Sequence, residues 1–261
     1  MRRDARGVRG VLRGLRLTPE IHLVASGSGG FDLTDPYDCH VYLVASEGEA
    51  ALIDTGIGSD VDGLLANVEA AGVAPEAIAV VLLTHAHPDH AGGAAELARL
   101  LPGARFLASE EVAGWVREGN EQAMSLDAGK RAELYPPDYR FEPGPEGGAL
   151  ADGERLGLGR LELEAIATPG HAAGHLAFLT HGATRVACLC GDLVFYGGQI
   201  SLEANWDCSL ADYGRSVRRL AERRFDALLP GHHSVSVRRG RRHVEVAARQ
   251  FQRGFVPRSV V

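Results

Sequence analysis

The sequence predicts a layered α/β fold with its helices on the outside. Three observations carry this expectation. Strand-like and helix-like segments alternate through both halves of the chain. The run Ile78 to Leu83 is continuously aliphatic and rich in β-branched residues, as in a strand buried on both faces. The chain has 261 residues, 45% of them hydrophobic, which suffices for a full core at this length. Aromatic residues reach only 6%, so aliphatic side chains and glycine must build that core.

Taken in order, Glu20 to Ser26 reads as a first strand, ended by the glycine-rich turn at 27–30. Cys39 to Ala45 and Ala50 to Asp54 read as two strands joined by a turn at Glu47-Gly48. A helix is expected from about Ser59 to Ala71, capped by Gly72. After the buried strand and a histidine-rich loop, Ala91 to Leu101 reads as helical and Ala104 to Ala108 as a short strand. Ser109 with Glu110 and Glu111 marks a further helix start. From about 119 to 145 the pattern degrades into polar residues and then Pro, Tyr and Phe, which reads as an inserted lid and not as core. In the second half, Leu161 to Ala167, Leu176 to Thr180, Arg185 to Cys190 and Phe225 to Leu229 read as strands. Leu210 to Arg223 and Val244 to Phe251 read as helices. The expected organisation is a basic tail at 1–19 and a single domain at 20–255 carrying the lid.

The net charge is −7, which argues against a nucleic-acid partner. Arginines 2, 3, 6, 9, 13 and 16 crowd the start, and 238, 239, 241 and 242 cluster near the end. Both groups read as solvated surface. No segment is long and apolar enough to span a membrane, and the first residues lack the apolar core of a secretory signal. Cys39, Cys188, Cys190 and Cys208 form no Cys-x-x-Cys motif and read as buried free thiols of a cytoplasmic protein.

The chemistry lies in the histidines. There are eleven, and several fall in short loops directly after a predicted strand, where ligands of α/β folds gather. In Thr84-His85-Ala86-His87-Pro88-Asp89-His90, His85 and His87 can face one cavity from an extended turn. Asp89 and His90 can face a neighbouring point as the helix begins. Imidazole and carboxylate suit zinc and related first-row metals. One histidine alone would be an ordinary core or surface residue. Four donors within six residues, behind a buried strand, point to a metal site.

These residues carry a resemblance to the metallo-β-lactamase superfamily, extending over most of the chain. The stretch Thr84 to Gly93 resembles its signature, and Leu52 to Gly56 its early strand-and-turn motif. Thr168 to His175, Cys190-Gly191-Asp192 and Leu229 to His232 are similar to three later motifs, in the family's order. The resemblance implies a four-layer αβ/βα sandwich. It implies that His85, His87 and His171 hold one metal, that Asp89, His90 and His232 hold a second, and that Asp192 bridges the two. Two divalent ions are implied, zinc first, with iron and manganese as alternatives. A hydroxide generated on the metals would then attack an acyl or phosphoryl centre, with Asp89 orienting it or shuttling a proton.

Other residues have competing readings. Asp54 is either a partner that fixes a histidine or an ordinary turn aspartate. His175 reads as packing or a supporting partner, not a ligand. Phe195, Tyr196 and Trp206 follow Asp192 and read equally as substrate pocket or core. His22, His40, His181, His233 and His243 are given no role.

The shared motifs do not choose a substrate. Asp192 argues against a true β-lactamase, which lacks that bridging aspartate. Glyoxalase II enzymes place a glutathione-binding lysine after the bridging aspartate; here residues 195–201 hold no Lys or Arg. Lactonases place a tyrosine three residues after it; here Phe195 stands there and Tyr196 follows. The expected function is hydrolysis of a small-molecule thioester, ester or lactone. The alternative is a mononuclear iron redox enzyme of the same fold, similar to persulfide dioxygenases. The 119–145 insertion would serve as a lid or as a dimer contact.

Overall fold

The computed structural model describes residues 14–261. Of the expected tail at 1–19, residues 1–13 lie outside the described residues, and Leu15–Arg16 form a short edge strand, β1. The next strands are β2 (Ile21–Ala25), β3 (Val41–Ser46), β4 (Glu49–Ile53), β5 (Ile78–Leu82), β6 (Arg105–Ala108) and β7 (Gly148–Ala149). They build one seven-stranded sheet in sequence order. It is antiparallel from β1 to β4 and parallel from β4 to β7. The second sheet has five strands in the order β12-β11-β10-β9-β8. These are β8 (Arg155–Leu158), β9 (Leu161–Ala167), β10 (Leu176–His181), β11 (Ala187–Gly191) and β12 (Ala227–Pro230).

Side-chain alternation along the strands explains the layering. Tyr42, Val44, Ala51, Ile53, Val80 and Leu82 meet Leu161, Leu163, Phe178 and Leu189 in a core between the sheets. Their neighbours Val41, Leu43, Leu52 and Val81 face the other way. They pack against helices α1 (Val61–Ala70), α3 (Ala94–Leu100) and α4 (Glu110–Glu118). Ala177, Leu179, Cys188 and Cys190 likewise pack under α6 (Leu210–Ala221) and α7 (Arg241–Gln252). Three cores thus separate four layers, helix, sheet, sheet, helix. Strands buried on both faces lose the polar alternation of a one-sided sheet, which is why they read as continuous apolar runs. All four cysteines are free, and three are buried.

Three helices, α1, α4 and α6, start at a capping side chain. The Asp60 side chain accepts from Gly63 N, Ser109 from Val112 N and Ser209 from Asp212 N. The helix expected over Ala91 to Leu101 is instead two pieces, α2 (Pro88–Ala91) and α3, separated by Gly92 and Gly93. A Cβ at Gly92 would overlap the Ile57 carbonyl, and one at Gly93 the Thr55 carbonyl. The β4–α1 loop passes too close there for one straight helix. The 119–145 segment also departs from its reading as a region outside the core. It contains the short helix α5 (Leu126–Arg131), and Met124, Leu126, Tyr135 and Phe141 are buried in the core of the first sheet. Proline and glycine break its periodicity, so that burial leaves no regular pattern in the sequence. No helix among the described residues is long and apolar enough to cross a membrane.

Candidate metal centre

One rim of the sandwich gathers donors from both sheets. The loop after β5 supplies His85 and His87, and the short helix α2 that follows supplies Asp89 and His90. The β9–β10 loop supplies His171, the end of β11 Asp192, and the end of β12 His232. Ligand atoms of His85, His87 and His171 lie mutually close, as do those of His85, His90 and Asp192, and of Asp89, His90 and His232. His87 Nδ1 is 3.0 Å from His171 Nε2. Asp192 reaches both groups. Its Oδ2 lies 3.8 Å from His171 Nε2 and 3.5 Å from His232 Nε2, and its Oδ1 lies 3.6 Å from His90 Nε2. His232 Nε2 is 3.0 Å from Asp89 Oδ2. All seven residues named from the sequence therefore converge on one place.

The surrounding hydrogen bonds set which ring nitrogens remain free. Asp54 sits at the end of β4 in a left-handed conformation, φ 65°, an uncommon state for a non-glycine residue that aims its carboxylate at the β5 loop. Thr84 N–H donates to Asp54 Oδ1 at 2.7 Å, and Thr84 Oγ1–H donates to Oδ2 at 2.8 Å. His90 Nδ1 lies 2.8 Å from the same Oδ2. With the threonine hydroxyl donating to Asp54, His85 Nδ1 donates in turn to Thr84 Oγ1 at 2.9 Å. One carboxylate thus fixes two imidazoles with their protons on Nδ1. Among the described residues, their Nε2 atoms, together with His87 Nε2, Asp192 Oδ1 and the nearby His40 Nδ1, are buried polar atoms without a hydrogen-bond partner.

His175 is different. Its Nδ1 lies 2.8 Å from Thr168 Oγ1, and its Nε2 accepts from Asp192 N at 3.3 Å. Both nitrogens are occupied within the protein, and the second holds the Asp192 backbone. The buried Tyr213 hydroxyl donates to the Asp192 carbonyl at 2.8 Å and steadies the same loop.

Electrostatics divide the cluster. Burial, reinforced by neighbouring imidazoles, pushes the His85 pKa well below its usual value. Burial opposes charge on His232 as well, but Asp192 and Asp89 outweigh it and raise that pKa. Asp192 is buried, yet the His232 and His90 imidazoles hold its carboxyl well below the usual range. The carboxylate of Asp192 is thus held anionic, while the imidazoles divide: His85 is held neutral with a lone pair to offer, and His232 and His90, against their burial, are drawn toward their charged forms by the neighbouring carboxylates.

A cavity of about 230 Å³ opens in front of these groups, lined by His87, Asp89, Asp192, Phe195 and His232 among others. Of the three residues read as pocket or core, only Phe195 lines it, and it is itself fully buried. Tyr196 is 46% exposed and stacks near His243 of α7, with ring centroids 4.3 Å apart. Trp206 is 62% exposed and packs edge-on against Trp115. Neither lines the cavity.

Sequence reasoning missed Tyr135, Glu203 and His40. The Tyr135 hydroxyl donates to Asp89 Oδ1 at 2.6 Å, tying the 119–145 insertion to the centre. Glu203 Oε1 is 3.8 Å from His171 Nδ1 and lines the cavity. His40 is buried, with Nε2 2.8 Å from the His233 carbonyl. The only sequence signal for Tyr135 was the cluster of aromatic residues around it.

Residues 34–232 match the family model described as the metallo-beta-lactamase superfamily. A hydroxyacylglutathione hydrolase of Aeromonas salmonicida is 29% identical over 74% of this chain and 59% of its own length. One from Acidiphilium cryptum is 32% identical over 80% of this chain and 70% of its own length. An atrochrysone carboxyl ACP thioesterase of Aspergillus fumigatus is 27% identical over 84% and 58%. This chain thus spans about three fifths of the length of several curated relatives it matches. Among solved structures, a Cronobacter sakazakii metallo-β-lactamase with a HARLDQ motif aligns with a TM-score of 0.67 and 24% identity, covering 85% of this chain and 81% of that one. A B3 metallo-β-lactamase with an active-site glutamic acid aligns with a TM-score of 0.69 and 23% identity, covering 93% and 90%. These structural likenesses concern the fold.

Proposed function

We propose, because the chain belongs to the metallo-β-lactamase superfamily and its donor cluster is intact, that it is a dinuclear metal-dependent hydrolase of a small thioester, ester or lactone. The observation that carries this reading is that, among the described residues, buried polar atoms at His85, His87, His90 and Asp192 are left without partners. Unpaired buried nitrogens and carboxylate oxygens are costly unless a cation accepts their lone pairs. The donor set, imidazoles with carboxylates, suits zinc. His85, His87 and His171 would hold one ion, and Asp89, His90 and His232 the other. Asp192, within reach of both groups, would be shared.

When bound, such ions supply a water acidified to near neutral pH and polarise the bond under attack. The residues of the chain do the rest. Asp54 and Thr84 orient His85 and His90. His175 and Tyr213 hold the Asp192 backbone. Tyr135 holds Asp89 through Oδ1 and leaves Oδ2 facing His232 Nε2 at 3.0 Å, so the carboxylate stays aimed into the centre. Phe195 excludes water from one side of the cavity. The hydroxyacylglutathione hydrolase and thioesterase relatives support thioester cleavage as the reaction to test first.

The test is metal analysis of protein purified without added metal, with turnover of a thioester and lactone panel. About two zinc ions per chain with hydrolysis are expected, and Asp192→Ala and His171→Ala should lose metal and activity together. A single iron with oxygen uptake on a persulfide substrate would overturn the reading in favour of the redox alternative. Full activity at unchanged metal content in both variants would overturn the ligand assignment.

A further inference from the structure

The cavity is small and has an unusual charge pattern. Its volume, about 230 Å³, lies below the ~300–1,000 Å³ usual for ligand pockets. Pro36, Leu134, Phe195, Val260 and Val261 give it apolar walls. Apart from the metal-centre candidates, its acidic lining is Asp38 and Glu203, and among the described residues no lysine or arginine lines it. Asp38 is committed to the fold, since its Oδ1 accepts from Ile57 N at 2.7 Å. Glu203 is braced in place, by Ser201 Oγ at 3.1 Å and Asn205 Nδ2 at 2.7 Å. Its carboxylate is therefore held in place on the cavity wall.

We propose that this cavity takes uncharged acyl compounds with an apolar body, and that Glu203 is a specificity-determining residue that turns away anionic leaving groups. The inference rests on the hydrolase reading above. A glutathione thioester carries two carboxylates against one ammonium, and a coenzyme A thioester carries phosphates. Without a lysine or arginine in the lining to receive them, those anions face a carboxylate across a partly desolvated gap. Like charges so placed discriminate by repulsion, without any added attraction for the favoured substrate. The apolar walls meanwhile favour an uncharged body by simple burial. The reaction is ordinary hydrolysis, in which water adds its oxygen to the acyl carbon, the carbon–sulfur bond breaks, and the thiol leaves with a proton.

The experiment uses one acyl group on three thiols, N-acetylcysteamine, glutathione and coenzyme A, with the metal-loaded chain. The expected kcat/KM is at least about tenfold higher for the uncharged N-acetylcysteamine thioester, with the difference in KM and narrowed by added salt. Glu203→Gln should raise the glutathione and coenzyme A values relative to the neutral one. Because Glu203 also lies near His171, Leu134→Lys provides an independent check. It places a cation on the lining without altering any donor, and should shift the ratio the same way. Equal or better turnover of the glutathione thioester by the unaltered chain would overturn the proposal and leave the hydrolase reading standing. So would an unchanged ratio in both variants. Absence of turnover of all three would overturn the hydrolase reading, and this inference with it.

Discussion

Asp54 concentrates more of the centre's geometry than any candidate ligand, and its replacement tests how that geometry is held. In Asp54→Ala, the Thr84 hydroxyl can turn toward His85, but Thr84 N–H and His90 Nδ1–H lose their acceptor. Each orphaned buried donor costs about 1–3 kcal/mol. Holding alanine at the left-handed φ of 65° adds about 1–2 kcal/mol. The sum, about 3–8 kcal/mol, approaches the whole stability of a typical domain, so loss of folding is the expected outcome there. Asp54→Asn is the sharper perturbation. Asparagine tolerates the backbone conformation, and its Oδ1 still accepts from Thr84 N. Its amide nitrogen, however, can only donate to His90 Nδ1, which moves the imidazole proton to the cavity-facing Nε2. The expected result is a zinc affinity about 10–100-fold weaker. Stability of the metal-free variant should stay within about 2 kcal/mol of the parent chain. Competition against a chelating dye measures the first quantity and urea unfolding the second. Unchanged zinc affinity in a folded Asp54→Asn protein would refute the claim that this carboxylate sets the tautomer of His90.

Tyr135→Phe removes one hydrogen bond to a carboxylate, worth about 1.5–3 kcal/mol, and kcat should fall by about tenfold or more at unchanged metal content; an unaltered kcat would show that Asp89 needs no support from the insertion. His40 gives a pH dependence. Burial pushes its pKa down to about 3, against ~6.5 when unfolded, so the folded chain refuses a proton that the unfolded chain accepts. Its contribution to stability is complete above about pH 6.5 and is lost as pH falls from there toward 3, at up to ~1.4 kcal/mol per pH unit. The His40 ring signal in NMR should therefore stay flat between pH 7.5 and 5, and a midpoint near 6.5 would contradict the buried neutral assignment.

Much of the centre was legible because its residues sit where strands end. His85 to His90, His171, Asp192 and His232 each follow a run whose apolar pattern marks a strand, and strand ends of two packed sheets meet at one rim. The four layers were legible for the same reason, in the doubly apolar runs of β3, β4, β5, β10 and β11. Features that depend on tertiary closure were not. Tyr135 reaches Asp89 only because an irregular, proline-containing segment folds back over the β5 loop. Tyr196 and Phe195 are adjacent in sequence, yet one turns to α7 and the other to the cavity, since a short 3-10 turn at Tyr196–Gly198 redirects the chain. The break between α2 and α3 was written in Gly92-Gly93, but its cause is the β4–α1 loop pressed against it. Strand β8 has Gly157 in its middle and one-sided burial, so it carries little strand signal of its own.

The shared rim has one more consequence. The first sheet provides His85 to His90 and the second provides His171, Asp192 and His232, so neither sheet alone holds a complete set of donors. Ions seated there would act as stitches between the two halves of the chain, tying residue 85 to residue 232 as a cross-link does. Metal loading and the docking of the sheets would then become a single cooperative event, and stripping the ions would loosen the seam before it loosened either sheet.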